Sequence, residues 1–242
     1  MKTVTLAGIA LIVGLAWLYL FSGAGMPKMD MGNGKVMLMP PPIWNVHYAA
    51  LMFAMWTIMM VAMMIPSAAP VIVWDADRPE EIVPAAFFTV GYVIVWTAFS
   101  AVATFAQYLF DSAHLLSDAM AIRNEAAAGA IIIAIGLYQL SGTKRNCLTR
   151  CCSALKTCAE EAGTGSMASI QRGVRYGISC LGCCWLMMCL LFVVGVMNVA
   201  WIAVITVWVL AEKTLPWGLS IARVTAVGLV GWGSVALVFA LR

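Results

Sequence analysis

Ile178-Ser-Cys180-Leu-Gly-Cys183-Cys184-Trp185-Leu-Met187-Met188-Cys189-Leu-Leu-Phe-Val-Val-Gly-Val-Met197 runs for twenty residues without a charge. A helix of that length rises about 30 Å, the thickness of a bilayer's hydrocarbon core. The stretch therefore reads as a transmembrane helix, and one loaded with thiols and thioethers. Such soft ligands suit a soft metal ion, Cu(I) first among them. Cys and Met also serve as plain apolar filler in buried helices, so the stretch alone leaves both readings open.

The rest of the chain settles the class. Of 242 residues, 63% are hydrophobic and 10% charged, against roughly 25% charged in soluble domains. Apolar spans run over Val4–Phe21, His47–Val73, Pro84–Leu109, Ala126–Leu140, Ile178–Met197 and Leu219–Leu241. A shorter run, Val199–Ala211, either completes a seventh span after a turn at Asn198 or extends the fifth past a kink. Each span must satisfy its own backbone hydrogen bonds, and no alternating barrel pattern is present. The expected fold is all-α: a polytopic transmembrane helical bundle of seven helices, or six.

Residues 1–46 form a signal-anchor helix and a Met-rich outer loop. Residues 47–242 form a single transmembrane helical domain with a basic, Cys-containing loop at 142–176. That loop carries Lys144, Arg145, Arg150, Lys156, Arg172 and Arg175, which places it in the cytoplasm. Counting spans backwards puts Lys2 and the N-terminus inside as well.

Candidate ligands fall in four groups. Cys147, Cys151 and Cys152 stand on the basic loop, the first two on one helical face, with Cys158 a short turn beyond. Reduced cytosolic thiols speak against a disulfide there, and nearby lysines and arginines should favour the metal-binding thiolate. Cys180, Cys183, Cys184 and Met187 recur at helical spacing as a second sulfur stripe, with Gly177 and Gly182 positioned to admit a neighbouring helix. Met52, Met55, Met59 and Met63 make a third stripe. Met26, Met29 and Met31, followed by Met37 and Met39, lie in a polar loop with no core to fill, where neutral thioethers suit Cu(I). His47 and His114 sit on the same outer side, His114 within Asp111-x-x-His114-x-x-x-Asp118, a helical face that would offer a divalent ion mixed ligands.

Among intramembrane polar residues, Gln107, Gln139 and Asn198 are expected to hydrogen-bond between helices, and Glu212-Lys213 to reach the interface from a helix end. No Walker loop, dinucleotide fingerprint or HExxH motif appears, so no catalytic site and no ATP-driven pump is expected.

Several of these residues also carry a resemblance. In order they are Met59-Met-Val-Ala-Met-Met-Ile-Pro-Ser67, Gly91-Tyr92 with Trp96, Gly136-Leu-Tyr-Gln139, Lys144 leading to Cys147-Leu-x-x-Cys151, Cys180-Leu-Gly-Cys-Cys-Trp185, Gly195-Val-Met-Asn198 and Glu212-Lys213. Over roughly residues 47–215 the chain resembles the bacterial family called domain of unknown function 2182, predicted metal-binding integral membrane proteins. Leu140-Ser-Gly-Thr-Lys144 lacks a proline expected there, and Cys152-Ser-Ala replaces an Arg-Ser-Pro-like run. The resemblance implies a bacterial integral membrane protein that binds metal; with the sulfur ligands and the apolar spans, the expectation is a multi-pass inner-membrane protein that binds or moves a soft ion, copper foremost and zinc as a second candidate. Expected partners are the lipid bilayer and either other membrane-protein subunits or a periplasmic metal carrier, with no nucleic acid. The alternative is a non-catalytic subunit of a larger membrane complex, its Met and Cys merely packing helices. A thiol redox role for Cys183/Cys184 or Cys151/Cys152 is a third reading.

Overall fold

The structure, a computed structural model, describes residues 2–23, 44–75, 84–117, 120–153 and 165–241, and the backbone alone of 28–30 and 36–38. Its helices are α1 (Lys2–Phe21), α2 (Val46–Asp75), α3 (Pro84–Ser112), α4 (Glu125–Gln139), α5 (Gly142–Cys152), α6 (Ser166–Cys189), α7 (Leu191–Val194), α8 (Val199–Thr214) and α9 (Gly218–Ala240). Between α1 and α2, β1 (Lys28–Asp30) pairs antiparallel with β2 (Val36–Leu38). Met26, Met31, Met39, Asp118 and Cys158 lie outside the described residues, as do the side chains of Met29 and Met37.

Local chemistry sets the helix starts. Asn45, Asn124, Ser141 and Asn198 each accept, through the side chain, a backbone N–H from the first turn of α2, α4, α5 and α8. These are the short polar residues that satisfy the orphan donors of a helix N-terminus. Asn198 thus ends the turn after α7 and launches α8 as a separate helix, rather than bending one continuous span.

Five helical segments are long and apolar enough to cross a membrane: α1, α2, α3, Ser166–Val194 (α6 continued through α7) and α9. The pair α4 and α5, bent by 59° at Leu140–Ser141, makes a sixth if it is one span. At 16 residues, α8 is shorter than the roughly 20 that a span requires. Length alone therefore gives five or six spans among the described residues, against the seven or six expected. Large apolar side chains such as Leu11, Val102, Phe105, Val207, Val227 and Phe239 face outward. Exposed apolar surface on this scale calls for lipid or protein cover.

Two close helix crossings build the bundle. At the α3–α6 crossing, a Cβ on Gly91 would collide with the carbonyl oxygen of Ile170, and one on Gly173 with that of Phe88. At the α4–α9 crossing, a Cβ on Gly129 would stand 3.0 Å from the Gly233 carbonyl oxygen, and one on Gly233 2.8 Å from that of Gly129. Small residues allow such approach, and dispersion between the backbones then holds helices that the hydrophobic effect cannot hold in lipid. Inside the bundle, α2 is buried along Met52, Met55, Trp56, Met59, Met60, Met63 and Met64, against Phe88, Tyr92 and Trp96 of α3. By contrast, α1 is peripheral and buries only Ala16 and Leu20.

Because the Gly91 and Gly173 approaches are backbone-limited, neither helix can yield without separating. Gly173→Ala is expected to cost at least the roughly 1–3 kcal/mol of an overpacked core, seen as a lower thermal midpoint by circular dichroism in detergent. Gly8→Ala, where nothing lies within 4 Å of the added carbon, should not lower the midpoint, since Ala is favoured over Gly inside a helix.

Candidate metal centre

The α3–α6 crossing decides what meets at the centre. Tyr92 follows Gly91 directly, and Cys180 lies one turn beyond Gly177, whose missing Cβ would sit 3.0 Å from Val95. The Tyr92 hydroxyl lies 3.0 Å from Cys180 Sγ and donates to the Met64 carbonyl at 3.1 Å. The Cys183 and Cys184 thiols, one turn on, donate to the Cys180 carbonyl at 3.1 and 2.9 Å. Cys184 Sγ also lies 4.0 Å from the Met64 thioether. From α5, the Cys151 thiol reaches both Cys180 and Cys183. The result is a buried group of sulfurs contributed by α2, α5 and α6.

A cation already stands in it. Lys213 Nζ, from α8, lies 2.8 Å from Cys180 Sγ, 3.8 Å from Cys184 Sγ and 3.3 Å from Ser67 Oγ. An ammonium carries three N–H donors, and these three acceptors match them. Lys213 is 9% exposed and Glu212 1%, so both side chains turn into the bundle rather than outward from their place near a helix end. The bundle closes over the last turn of α8, and the polar groups find their partners inside.

Glu212 pairs with Lys144 of α5 at 2.7 Å, both side chains about 1% exposed. A second buried pair, Arg172–Asp75 at 3.2 Å, joins α6 to the end of α2. The first pair, with the Cys152 thiol donating to the Lys213 carbonyl at 3.5 Å, pins α5 beneath the cluster. That is how a short polar helix holds Cys151 against α6.

The expected ligands divide accordingly. Cys151, Cys180, Cys183 and Cys184 come together, and the Met64 thioether of α2 joins them. Cys147 packs its sulfur where a Gly182 Cβ would stand, 2.7 Å from it. Gly182 thus admits a thiol, where a helix backbone was expected. Cys152 is exposed, and Met187 is buried on α6 in the same core as the thiols.

His47 is exposed at the opposite end of α2. His114 is exposed too, and its backbone is left-handed (φ 55°) beyond the end of α3. It therefore shares no helical face with Asp111, which instead accepts the Trp44 indole N–H at 2.6 Å. All seven described cysteines are free thiols. Among the described residues, no three Cys, His, Asp or Glu side chains form a ready-made metal cage; the thiols are arranged around an ammonium.

The fold and this site define a membrane-type helical bundle with a buried sulfur-rich centre. Residues 53–236 match a family model, PpoB2, described as a copper chaperone. The chain belongs to that family. The matched stretch holds every member of the cluster, and its description points to copper, giving zinc no support. Neither curated proteins nor solved structures give a match.

The Lys144–Glu212 pair offers a direct check on how α5 is held. Lys144→Met leaves a buried carboxylate uncompensated and should cost about 3–5 kcal/mol, read as loss of thermal stability in detergent. Lys144→Met combined with Glu212→Leu should recover most of it, a coupling that independent sites would lack.

Proposed function

We propose that this protein is an integral membrane copper chaperone that carries Cu(I) on the buried thiols of Cys180, Cys183 and Cys184. Cys151 and the Met64 thioether complete the soft ligand set. The observation that carries this reading is the Lys213 ammonium enclosed by thiols in an apolar interior. Cu(I) held by two of these sulfurs as thiolates, Cys180 and Cys184, while the other thiols stay protonated, is an anion of net charge −1, costly to bury alone. A lysine 2.8 Å from Cys180 neutralises it. Loading then forms Cu–S bonds, releases the thiol protons and leaves the ammonium as counter-ion to the complex.

The protein lies in the bacterial inner membrane with its N-terminus in the cytoplasm, on the strength of the basic 142–176 segment. In this reading α8 makes the seventh crossing, shortened because its buried Glu212-Lys213 end stops at the site. The buried thioethers of Met55, Met59 and Met63 then mark the way in from the periplasmic side, where a metal carrier delivers the ion. Cys147 and Cys152 mark the way out at the cytoplasmic face. His47 and His114 belong to the outer surface. Thioethers remain neutral and hold Cu(I) loosely, which suits transit, while thiolates hold it tightly, which suits a resting place.

Anaerobic competition titration with a Cu(I) chelator tests the reading. The wild-type protein should bind Cu(I), with one ion lost in Cys180→Ser/Cys184→Ser. Lys213→Met should weaken that ion at least tenfold, equivalent to about 1.4 kcal/mol, whereas Lys213→Arg keeps the charge and most of the affinity. Unchanged binding in the cysteine variant would sink the proposal.

A further inference from the structure

A second meeting of sulfurs lies about 18 Å along α2 from Met64, twelve residues at 1.5 Å each. Gln107 of α3 is 1% exposed, and its amide faces an unusual set of partners. Its oxygen accepts the Trp56 indole N–H at 2.7 Å. Indole N–H can only donate, so the amide oxygen is fixed on that side and the amide nitrogen on the other. That nitrogen meets two thioethers, Met120 Sδ at 3.1 Å and Met52 Sδ at 3.5 Å. Both sulfurs thus aim lone pairs at one point.

Packing alone does not call for this arrangement. A thioether is a weak acceptor, so it compensates poorly for burying an amide, which costs several kcal/mol on apolar transfer scales. Met120 is held in place at a further cost. Its backbone is left-handed, with φ 55°, a conformation that long side chains rarely adopt. Its N–H donates to the Ser117 carbonyl at 2.8 Å, and that of Ile122 to the Phe192 carbonyl at 2.8 Å, so the turn is tied back onto the bundle. The turn carries Met120 inward, to 6% exposed. Strain of this sort persists where the surroundings fix it, and it gathers at functional positions.

From this geometry, and resting on the copper reading above, we propose that Met52 and Met120 form a separate thioether station for Cu(I) at the α3–α4 end of the bundle. The Gln107 nitrogen marks the point on which the sulfurs converge, much as Lys213 Nζ does in the inner cluster. A hydrogen-bond donor and a Cu(I) ion both seek sulfur lone pairs, and the ion takes the place of the donor when the amide swings aside. Cu–S bonds form to two neutral thioethers, so no proton is released and the ion keeps its charge. Such a station holds its cargo loosely. Met55 and Met59, buried on the same face of α2 one and two turns further in, continue from it towards Met64 and the thiols. The station places the entry of the ion on the α3–α4 turn and assigns Met120 a role that the methionine stripe of α2 did not predict.

The test uses the full-length protein labelled with selenomethionine, loaded with Cu(I) under anaerobic, reducing conditions. Ion stoichiometry and copper-edge X-ray absorption are the readouts. Met52→Leu/Met120→Leu, which keeps side-chain volume, should bind one Cu(I) fewer per chain and lose the matching Cu–Se scattering, with helical circular dichroism unchanged. If the double variant loses helix, Met120→Leu alone should still reduce the Cu–Se scattering. Unchanged stoichiometry and unchanged Cu–Se scattering overturn the station. Cys180→Ser/Cys184→Ser separates the two readings. An ion lost there and kept in the methionine variant leaves the inner site and removes the outer one. The reverse pattern leaves the station and removes the thiol site.

Discussion

A charged lysine enclosed by thiols in an apolar bundle is the constraint that organises this molecule. Burying an ammonium is costly unless donors and charge are compensated, and here the compensation comes from three helices at once: Cys180 and Cys184 on α6, Ser67 on α2 and Tyr92 on α3 around the same sulfur. The identity of the neighbours is telling. Oxygen ligands would satisfy an ammonium at least as well, so a predominance of sulfur points to a second, softer cation as the intended occupant.

The scaffold serves that centre. Gly91 and Gly173 let α3 and α6 touch backbone to backbone, which sets Tyr92 against Cys180. Lys144–Glu212 locks α5 to α8 and so brings Cys151 up beneath α6. Both ion pairs that tie helix ends together, this one and Arg172–Asp75, are buried. A buried pair adds little net stability over a well-packed apolar substitute, but losing one partner is heavily penalised. Such pairs fix geometry, which is what a site assembled from separate helices requires.

Much of this was legible in the chain. Apolar runs of twenty residues announce spanning helices, and Asn198 announces where α8 begins; α5, capped by Ser141, was hidden because its basic residues read as loop. The thiols of Cys180, Cys183 and Cys184 recur at helical spacing, so their common face was readable, as was that of Cys147 and Cys151. What escaped was long-range. Glu212 and Lys213 look like interfacial charges because a helix end normally is one, and only the tertiary arrangement folds that end inward. His114 looks helical by its spacing from Asp111, whereas the backbone turns at Ala113. Met120, alone in a loop, belongs to no periodic stripe, and Gln107 gives no local hint of its thioether partners. Span number was the least readable property, since α8 and the bent α4–α5 pair fall near the length limit.

The most direct measurement is a structure of the copper-loaded protein with anomalous scattering at the copper edge. The account predicts a copper peak bonded to the sulfurs of Cys180 and Cys184, with the Lys213 ammonium shifted aside but still adjacent as counter-ion. A bundle interior without copper, or copper held only by exposed groups such as His47 or His114, would contradict it.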